Sequence, residues 1–313
     1  MTIPTPRKRR TTRPHKLARC VSIVSAVVLL SVTGCSPETE APSSAATTDP
    51  LEIGLSELRA FNFNQAYAIL LEHSRHISPD DNDWPLATYS LALATWHQAP
   101  TTQQAIDDAT VLFKSVVEKA PQDSLAASAL LDLGRIAELS QSEEAAQQGQ
   151  SYYQRVQDEF PGTEMAVRAS LLQAQSLARS LDQSQVKQAI HILKQITQSQ
   201  PNTPWRGTIE QYIAHLYAFY LDDIDEAITH YSIAKDVGFP RASDTDLSLW
   251  QLGLWQQKAK QDLAAAETFT ELVEAHPRSV YGTVARKRII EIANKHPEAN
   301  IRIPELAEVR LGR

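Results

Sequence analysis

Residues 252–277, LGLWQQKAKQDLAAAETFTELVEAHP, contain the pattern that decides the fold. A small residue, Ala265, is followed four positions later by Phe269 and seven positions later by Leu272. Offsets of zero, four and seven lie on one face of an α-helix. Pro277 comes twelve positions after Ala265 and cannot continue that helix, because proline has no amide hydrogen to donate. The stretch therefore predicts a helix that packs through one face and ends before Pro277.

The same arrangement occurs six times along the chain. Each small residue is followed by a large one at +4, by a further helix-packing residue at +7, and by proline at +12 or +13. Successive small residues are 38–43 positions apart, a period typical of stacked arrays of similar units. Another small residue, or in one case His215, lies 12 or 15 positions earlier and predicts a first helix that the second crosses closely. The six small residues are Ala66, Ala109, Gly149, Ala189, Ala227 and Ala265.

The last of these units resembles a known repeat family. Leu252-Gly253, Ala265, Phe269 and Pro277 are similar to the Leu-Gly, Ala, Phe and Pro positions of the tetratricopeptide repeat (TPR). The resemblance implies that each unit is a pair of helices and that the pairs stack side by side. Arrays of this kind hold partners on an extended concave surface.

An earlier unit matches the same pattern with a longer spacing. Leu133-Gly134 is followed by Gly149, Tyr153 and Pro161, and three extra residues are expected in the turn between the two helices. The chain has only 10 glycines and no run that alternates with the period of a β-strand. The resemblance and the composition together predict an all-α fold, a right-handed solenoid of about six TPR-like helix pairs.

Both ends of the array are expected to differ from its middle. Residues 279–295 predict a C-terminal capping helix, which covers the exposed apolar face of the final pair. Residues 36–50 are rich in Ser, Thr, Pro, Ala and Glu and predict a disordered tether. The predicted organisation is a lipoprotein signal peptide (1–34), a disordered acylated tether (35–50), a TPR-like helical repeat domain (51–295) and an irregular tail (296–313).

The signal peptide is inferred from the first residues of the chain. Seven basic residues and no acidic residue precede the apolar run Val21 to Val32, which is too short to span a membrane and has the length of a secretory signal. The tetrad Val32-Thr33-Gly34-Cys35 resembles the lipobox of bacterial lipoproteins. An uncleaved anchor, or an ordinary signal followed by a chance Gly-Cys, remains the alternative.

The lipobox resemblance implies that Cys35 is the lipidation site and the first residue of the mature chain. In such proteins an aspartate after the cysteine favours retention at the inner membrane, whereas here the next residue is Ser36. The expected location is the periplasmic face of the outer membrane, or the cell surface if the source has a single membrane.

The charge distribution limits the partners of the mature chain. Residues 35–313 hold 23 basic and 37 acidic residues, a net charge of −14, which disfavours nucleic acid and anionic lipid surfaces. Residues 278–313 are the exception, with eight basic residues against four acidic ones. This basic end predicts either a docking surface or a solvated capping helix.

The sequence contains no catalytic constellation. A serine elbow, a phosphate-binding glycine loop, a His-Glu-x-x-His helix and a Cys-His pair are all absent from it. The acidic turns at 78–83 and 221–226 lack the glycine and glutamate of an EF-hand loop, and His73 and His76 have no further ligand at zinc spacing. We therefore expect no enzyme activity, no small-molecule substrate, no metal site, and no cofactor apart from the lipid on Cys35.

A partner surface can be assigned from the TPR resemblance. In such arrays the first helix of each pair lines the concave face, and aligning His215 and Gly253 assigns several apolar residues of the fifth and sixth pairs to it. Their density predicts either an apolar groove for a partner or packing between repeats. The assigned residues are Ile209, Tyr212, Leu216, Phe219, Tyr220, Leu247, Trp250 and Leu254.

These expectations combine into a function. The chain is expected to be a membrane-anchored lipoprotein that acts as a protein-binding scaffold or adaptor in the cell envelope, with other envelope proteins or peptides as partners. The segments Phe113 to Gly134, Tyr153 to Ala174 and Phe269 to Ile289 share a pattern of aromatic residue, Pro, small polar residue and Ala-rich helix. In this pattern they resemble the lipoprotein subunit of the outer-membrane barrel-assembly machinery and the periplasmic coordinator of the Tol-Pal system. The alternatives are an accessory role in outer-membrane protein assembly and the regulation of cell-wall enzymes.

Overall fold

The computed structural model describes residues 49–140 and 142–306. Within these ranges the regular structure is helical, with thirteen α-helices, two short 3-10 helices and no strand. The predicted signal peptide, Cys35, nearly all of the tether and the last seven residues of the tail lie outside the described residues. The α-helices are α1 (Pro50–Arg59), α2 (Phe63–Ser74), α3 (Trp84–His97), α4 (Gln103–Lys119), α5 (Ser124–Ala137), α6 (Glu143–Glu159), α7 (Glu164–Ala178), α8 (Gln183–Ser199), α9 (Arg206–Tyr220), α10 (Ile224–Val237), α11 (Thr245–Lys258), α12 (Asp262–Ala275) and α13 (Gly282–Lys295).

The helices form six pairs, α1–α2 to α11–α12, followed by α13. In the described part of the chain, extensive contacts join only helices that are one or two apart in chain order. Contacts restricted to near neighbours are the property that makes an array a solenoid. The predicted all-α solenoid of about six helix pairs with a C-terminal capping helix is therefore confirmed. Among the described helices, none has the length and hydropathy needed to cross a membrane.

The repeated small residues lie where the two helices of a pair cross. All six are buried, and so is the large residue four positions after each. A methyl group on Gly134 would come within 2.4 Å of the Tyr153 ring, and one on Gly253 within 2.3 Å of the Phe269 ring. The glycine of the first helix thus leaves room for the aromatic side chain of the second.

In the longer units the second helix starts earlier relative to its small residue, and the turn before it is longer as well. Helices α4, α6 and α8 have 17 residues each, against 12 in α2 and 14 in α10 and α12. The turns before α4, α6 and α8 hold five, five and four residues, against three in the other pairs, so the expected longer turn is present and the helix is lengthened as well. Thr102, Ser142 and Asp182 each accept a backbone N–H bond from the first turn, and this capping starts the helix earlier.

Helix α13 and the segment after it close the end of the array. Ala285, Ile289 and Ile292 of α13 are buried in one apolar cluster with Phe269 and Leu272 of α12. Residues 296–306 then form the short 3-10 helix Pro297–Ala299 and an irregular segment. This segment returns along α13, because Arg286 Nε donates to the Pro304 carbonyl at 2.9 Å.

Candidate functional site

Two of the residues assigned to the concave face are core residues. Leu216 and Ile209 are both 0% exposed and belong to the apolar cluster shared by α7, α8 and α9. Their assignment to an exposed groove is a mistake. Ile209, Ile213 and Leu216 follow the zero, four, seven spacing of a packing face, so this stripe of α9 is turned toward the neighbouring helices.

Trp250 and Leu254 are half-buried on α11 and pack against the end of the solenoid. The Trp250 ring is stacked on Tyr281 at 5.7 Å between centroids and lies 5.3 Å from the Phe269 ring. These contacts connect α11 to α12 and to the start of α13. Leu247, one turn earlier than Trp250, is exposed.

The aromatic residues of α9 have a different environment. Phe219 is 65% exposed and meets Trp255 edge to face at 5.9 Å. Tyr220 is 37% exposed and Tyr212 is half-buried. Burial, and then the neighbouring Tyr220, raise the pKa of Tyr212 to about 12, so its hydroxyl is neutral at physiological pH. Both tyrosines line one cavity.

The cavity has a volume of about 480 Å³ and is formed by the first helices of the second to fifth pairs. Helices α3, α5, α7 and α9 and the turns after α5 and α7 contribute its walls, which combine apolar, aromatic and charged groups. Its position on the first helices is the one expected of the concave face of a TPR-like array. The lining residues are Trp96, Arg135, Glu138, Leu139, Leu172, Gln175, Ala178, Arg179, Tyr212 and Tyr220.

Arg135 is held in a fixed position at one side of this cavity. Its guanidinium lies 5.0 Å from the centre of the Trp96 ring, and its Nη1 donates to Asp132 Oδ1 at 3.1 Å. Asp132 also accepts a hydrogen bond from the Tyr89 hydroxyl at 2.8 Å. Burial raises the pKa of Asp132, while the bonds from Tyr89 and Arg135 oppose that shift. The Asp132 carboxylate is thus buried beneath the surface of the cavity, whereas the Arg135 guanidinium lines it.

Arg179 has a similar arrangement at the other side. It forms an ion pair with Glu138, which comes from the turn after α5, so the pair joins the third and fourth repeats. Burial, and then the nearby Glu138 carboxylate, raise the pKa of Tyr153 on α6 above its usual range. The buried Tyr153 side chain thus packs against Gly134 and lies close to Glu138.

A second cavity, of about 610 Å³, lies between α12 and residues 299–302. Its walls carry Glu267, Glu271 and Glu274 beside Leu263 and Ala266. Two of the three glutamates already have cationic partners, Lys235 at 2.9 Å from Glu271 and Arg302 on Glu274. This cavity is consequently part of the packing of the C-terminal segment on the array.

Four of the six basic residues that the structure describes at the C-terminal end have partners within the chain. Lys295 pairs with Asp262, Arg302 with Glu274 and Arg288 with Glu291, and Arg286 donates to a backbone carbonyl. These contacts favour the interpretation of a capping helix over that of a docking surface.

Among the described residues, no group of three His, Cys, Asp or Glu side chains is arranged to hold a metal ion.

Comparisons with known proteins agree with this architecture. Residues 247–279, which comprise most of α11 and all of α12, match the family model of the tetratricopeptide repeat. No curated protein matches the chain.

Several solved structures are similar to the chain at low sequence identity. A thermophilic TPR protein of Thermus thermophilus has 19% identity and a TM-score of 0.42 over 67% of this chain and 100% of that one. The C-terminal part of a TPR repeat-containing protein from Cytophaga hutchinsonii has 11% identity and a TM-score of 0.48 over 79% and 82%. The TPR2AB domain of yeast Sti1, in complex with pHSP90, has 14% identity and a TM-score of 0.29 over 79% and 97%. The packing of its six helix pairs and the family match show that the protein is a solenoid of TPR-like helix pairs, of which residues 247–279 match the tetratricopeptide repeat.

Proposed function

We propose that the protein is a membrane-anchored lipoprotein of the cell envelope and that its concave cavity binds a segment of another protein. The observation that carries the binding role is the cavity on α3, α5, α7 and α9, where two half-exposed arginines lie beside two tyrosines. Tyrosine and arginine are the residue types that contribute most to protein interfaces. Tetratricopeptide arrays act through such extended concave surfaces.

The proposed anchor is the lipid on Cys35. The basic start of the chain, the short apolar run and the Val-Thr-Gly-Cys tetrad support it. A Cys35→Ser variant is expected to lose metabolic labelling with palmitate and to leave the membrane fraction. Recovery of the unlabelled variant in membranes at the level of the original protein would contradict a lipid anchor.

Crosslinking of the full-length acylated protein in its native membrane tests the binding role. A small set of captured proteins is expected, and a Tyr212→Ala/Tyr220→Ala variant is expected to lose it. Phe61→Ala is the matched control, since Phe61 is 77% exposed and does not line the cavity. Equal capture by all three proteins would show that partners bind elsewhere.

The identity of the captured proteins separates the possible pathways. Subunits of a barrel-assembly machine would support an accessory role in outer-membrane protein assembly. Cell-wall enzymes would support a regulatory role, and a change in wall crosslinking on deletion would be the matching phenotype. Other envelope proteins would support a general adaptor.

A further inference from the structure

In the two ion pairs at the cavity, the acids are buried and the arginines are exposed. The side chains of the two acids are nearly buried, with 9% of Asp132 and 13% of Glu138 exposed. The side chains of the two arginines paired with them are 48% exposed for Arg135 and 60% for Arg179. A molecule entering the cavity therefore meets guanidinium groups first.

Both guanidinium groups have donors to offer. Each arginine carries five N–H donors. Among the described residues, the Arg135 guanidinium donates one hydrogen bond, to Asp132, and the Arg179 guanidinium donates one, to Glu138. The pairing with buried acids fixes the two groups without using up their donors. A carboxylate is the partner that matches such a planar, cationic donor set best.

The remaining walls of the cavity are suited to an apolar side chain. Leu139, which is 58% exposed, and Leu172, which is half-buried, line it, whereas the lining residues Trp96 and Ala178 are already buried. Covering Leu139 and Leu172 with an apolar side chain removes their exposed surface from water, which stabilises a complex by about 25 cal/mol per Å². A volume of about 480 Å³ accommodates a few side chains of a partner, not a whole domain.

The cavity also contrasts with the molecule around it. Residues 35–313 carry a net charge of −14, so most of the surface repels an acidic partner. Arg135 and Arg179 outnumber Glu138 among the charged residues that line this cavity, so its lining carries a net positive charge within that repulsive field. Charge complementarity therefore distinguishes this cavity from the acid-lined cavity on α12.

We infer that the partner segment carries an aspartate or glutamate directly beside a leucine or an aromatic residue. Its carboxylate accepts hydrogen bonds from Arg135 and Arg179, and its apolar side chain packs on Leu139 and Leu172. The inference rests on the proposed function, since it names the chemistry of the segment that the same cavity binds.

Selection from a displayed library of random 12-residue peptides on the full-length protein tests this inference. We expect enriched peptides to contain the acidic–apolar pair. An Arg135→Gln/Arg179→Gln variant is expected to lose that preference and to bind an enriched peptide at least tenfold more weakly by fluorescence anisotropy. The same loss is expected when the acidic residue of the peptide is replaced by its amide. Arg155→Gln/Arg288→Gln, which removes two surface arginines from similar ion pairs outside the cavity, is the matched control.

Loss of Arg135 leaves Asp132 buried without its cation, so the double variant could fold poorly. The single variant Arg179→Gln, at a more exposed site, is therefore measured in parallel. Peptides that require Tyr212 and Tyr220 but show no acidic preference, or that bind the arginine variants unchanged, would overturn the inference and leave the proposed function intact. Absence of any peptide that depends on the cavity would overturn both.

Discussion

Glycines in the first helices determine how closely the two helices of a pair approach. A Gly134→Ala substitution places a methyl group 2.4 Å from Tyr153 Cε1. The Tyr153 side chain is 0% exposed, so the surrounding core prevents its ring from moving away. Overpacking costs about 1–3 kcal/mol. Alanine regains about 1 kcal/mol through its better helix propensity. We expect a net loss of stability and a lower melting midpoint in thermal denaturation.

A second glycine provides the control for this substitution. At Gly282, the first residue of α13, the nearest side-chain atom to an added methyl group belongs to Leu306 and is 3.9 Å away. Gly282→Ala should leave the melting midpoint unchanged or raise it slightly. If both variants melted alike, the close packing of Gly134 on Tyr153 would not matter for stability.

Lys260 lies in the three-residue turn between α11 and α12 with a φ of 61°. This left-handed conformation costs a residue with a Cβ atom roughly 1–2 kcal/mol, whereas glycine adopts it readily. Glycine also has more conformational entropy to lose on folding, so we expect Lys260→Gly to raise stability by up to about 1 kcal/mol. Urea denaturation measures the change.

A lysine-to-glycine substitution inside a helix should instead lower the free energy of unfolding. Lys287 is exposed within α13, where Lys287→Gly is expected to cost about 1 kcal/mol of helix propensity. Stabilisation at Lys287, or destabilisation at Lys260, would contradict the assignment of these backbone conformations.

At the residue scale, the sequence predicted contacts within one helix and did not predict contacts between repeats. The anchor Ala265 and its partner Phe269 could be predicted because both lie on one helix. Arg135 and Arg179 could not be predicted as neighbours across a cavity, since only the stacking of the third pair on the fourth brings them together. Leu216 was misassigned because an apolar residue fits a groove and a core equally well by sequence.

At the scale of the helix, the capping residues determined where the second helices begin, which the spacing of small residues alone did not. The 15-residue spacing was visible in the sequence, but a turn and an extended helix account for it equally. Residues such as Ser142, whose hydroxyl accepts the Ala145 amide at 3.2 Å, start the second helices earlier and lengthen them. The position of a cap relative to the anchor is the signal that would have predicted the longer helices.

The junction of α12 and α13 is expected to depend on pH. Hydrogen bonds from Lys295 and then from His296 lower the pKa of Asp262 below its usual value near 4. Because the folded pKa is the lower one, the contribution to stability is present above about pH 4 and is lost as the pH falls through the folded pKa. Hydrogen exchange of α13 should accelerate, relative to intrinsic rates, in that acid range.

An Asp262→Asn variant isolates this effect. Its α13 should exchange faster than that of the original protein above pH 4, and the two should converge on acidification. Asp236→Asn, at an exposed site on α10, serves as the control for loss of one negative charge. A difference between Asp262→Asn and the original protein that stayed constant with pH would show that the carboxylate charge is not the cause.

At the scale of the whole molecule, the helix pairs are not equally connected. The contacts of α8 with α9 and of α10 with α11 are the least extensive between consecutive helices of the described chain, whereas α9 and α10 pack on each other most extensively. A buried pair, Glu210 and His230, joins α9 to α10 at 2.6 Å. The fifth pair is thus a tight unit between two weaker interfaces.

This division bears on the cavity, since Tyr212 and Tyr220 belong to α9 and the other lining residues precede α8. A solenoid unfolds according to the stability of its repeats and of the interfaces between them. Movement at the α8–α9 interface would change the width of the cavity. The interface therefore links the stability of the array to the site proposed for the partner.

Lys194 is the residue that tests this link. From α8 it donates to the Tyr217 hydroxyl at 2.9 Å, and it lies 3.4 Å from Glu226 Oε2 at the start of α10. Lys194→Met keeps an unbranched side chain only one atom shorter and removes these polar contacts. We expect faster hydrogen exchange in α9 and α10, with α1–α5 unchanged, and weaker capture of partners by the cavity. Lys187→Met, at an exposed position of the same helix, should change neither. Uniform acceleration along the whole chain would instead show that the array unfolds as one cooperative unit, without a boundary at the fifth pair.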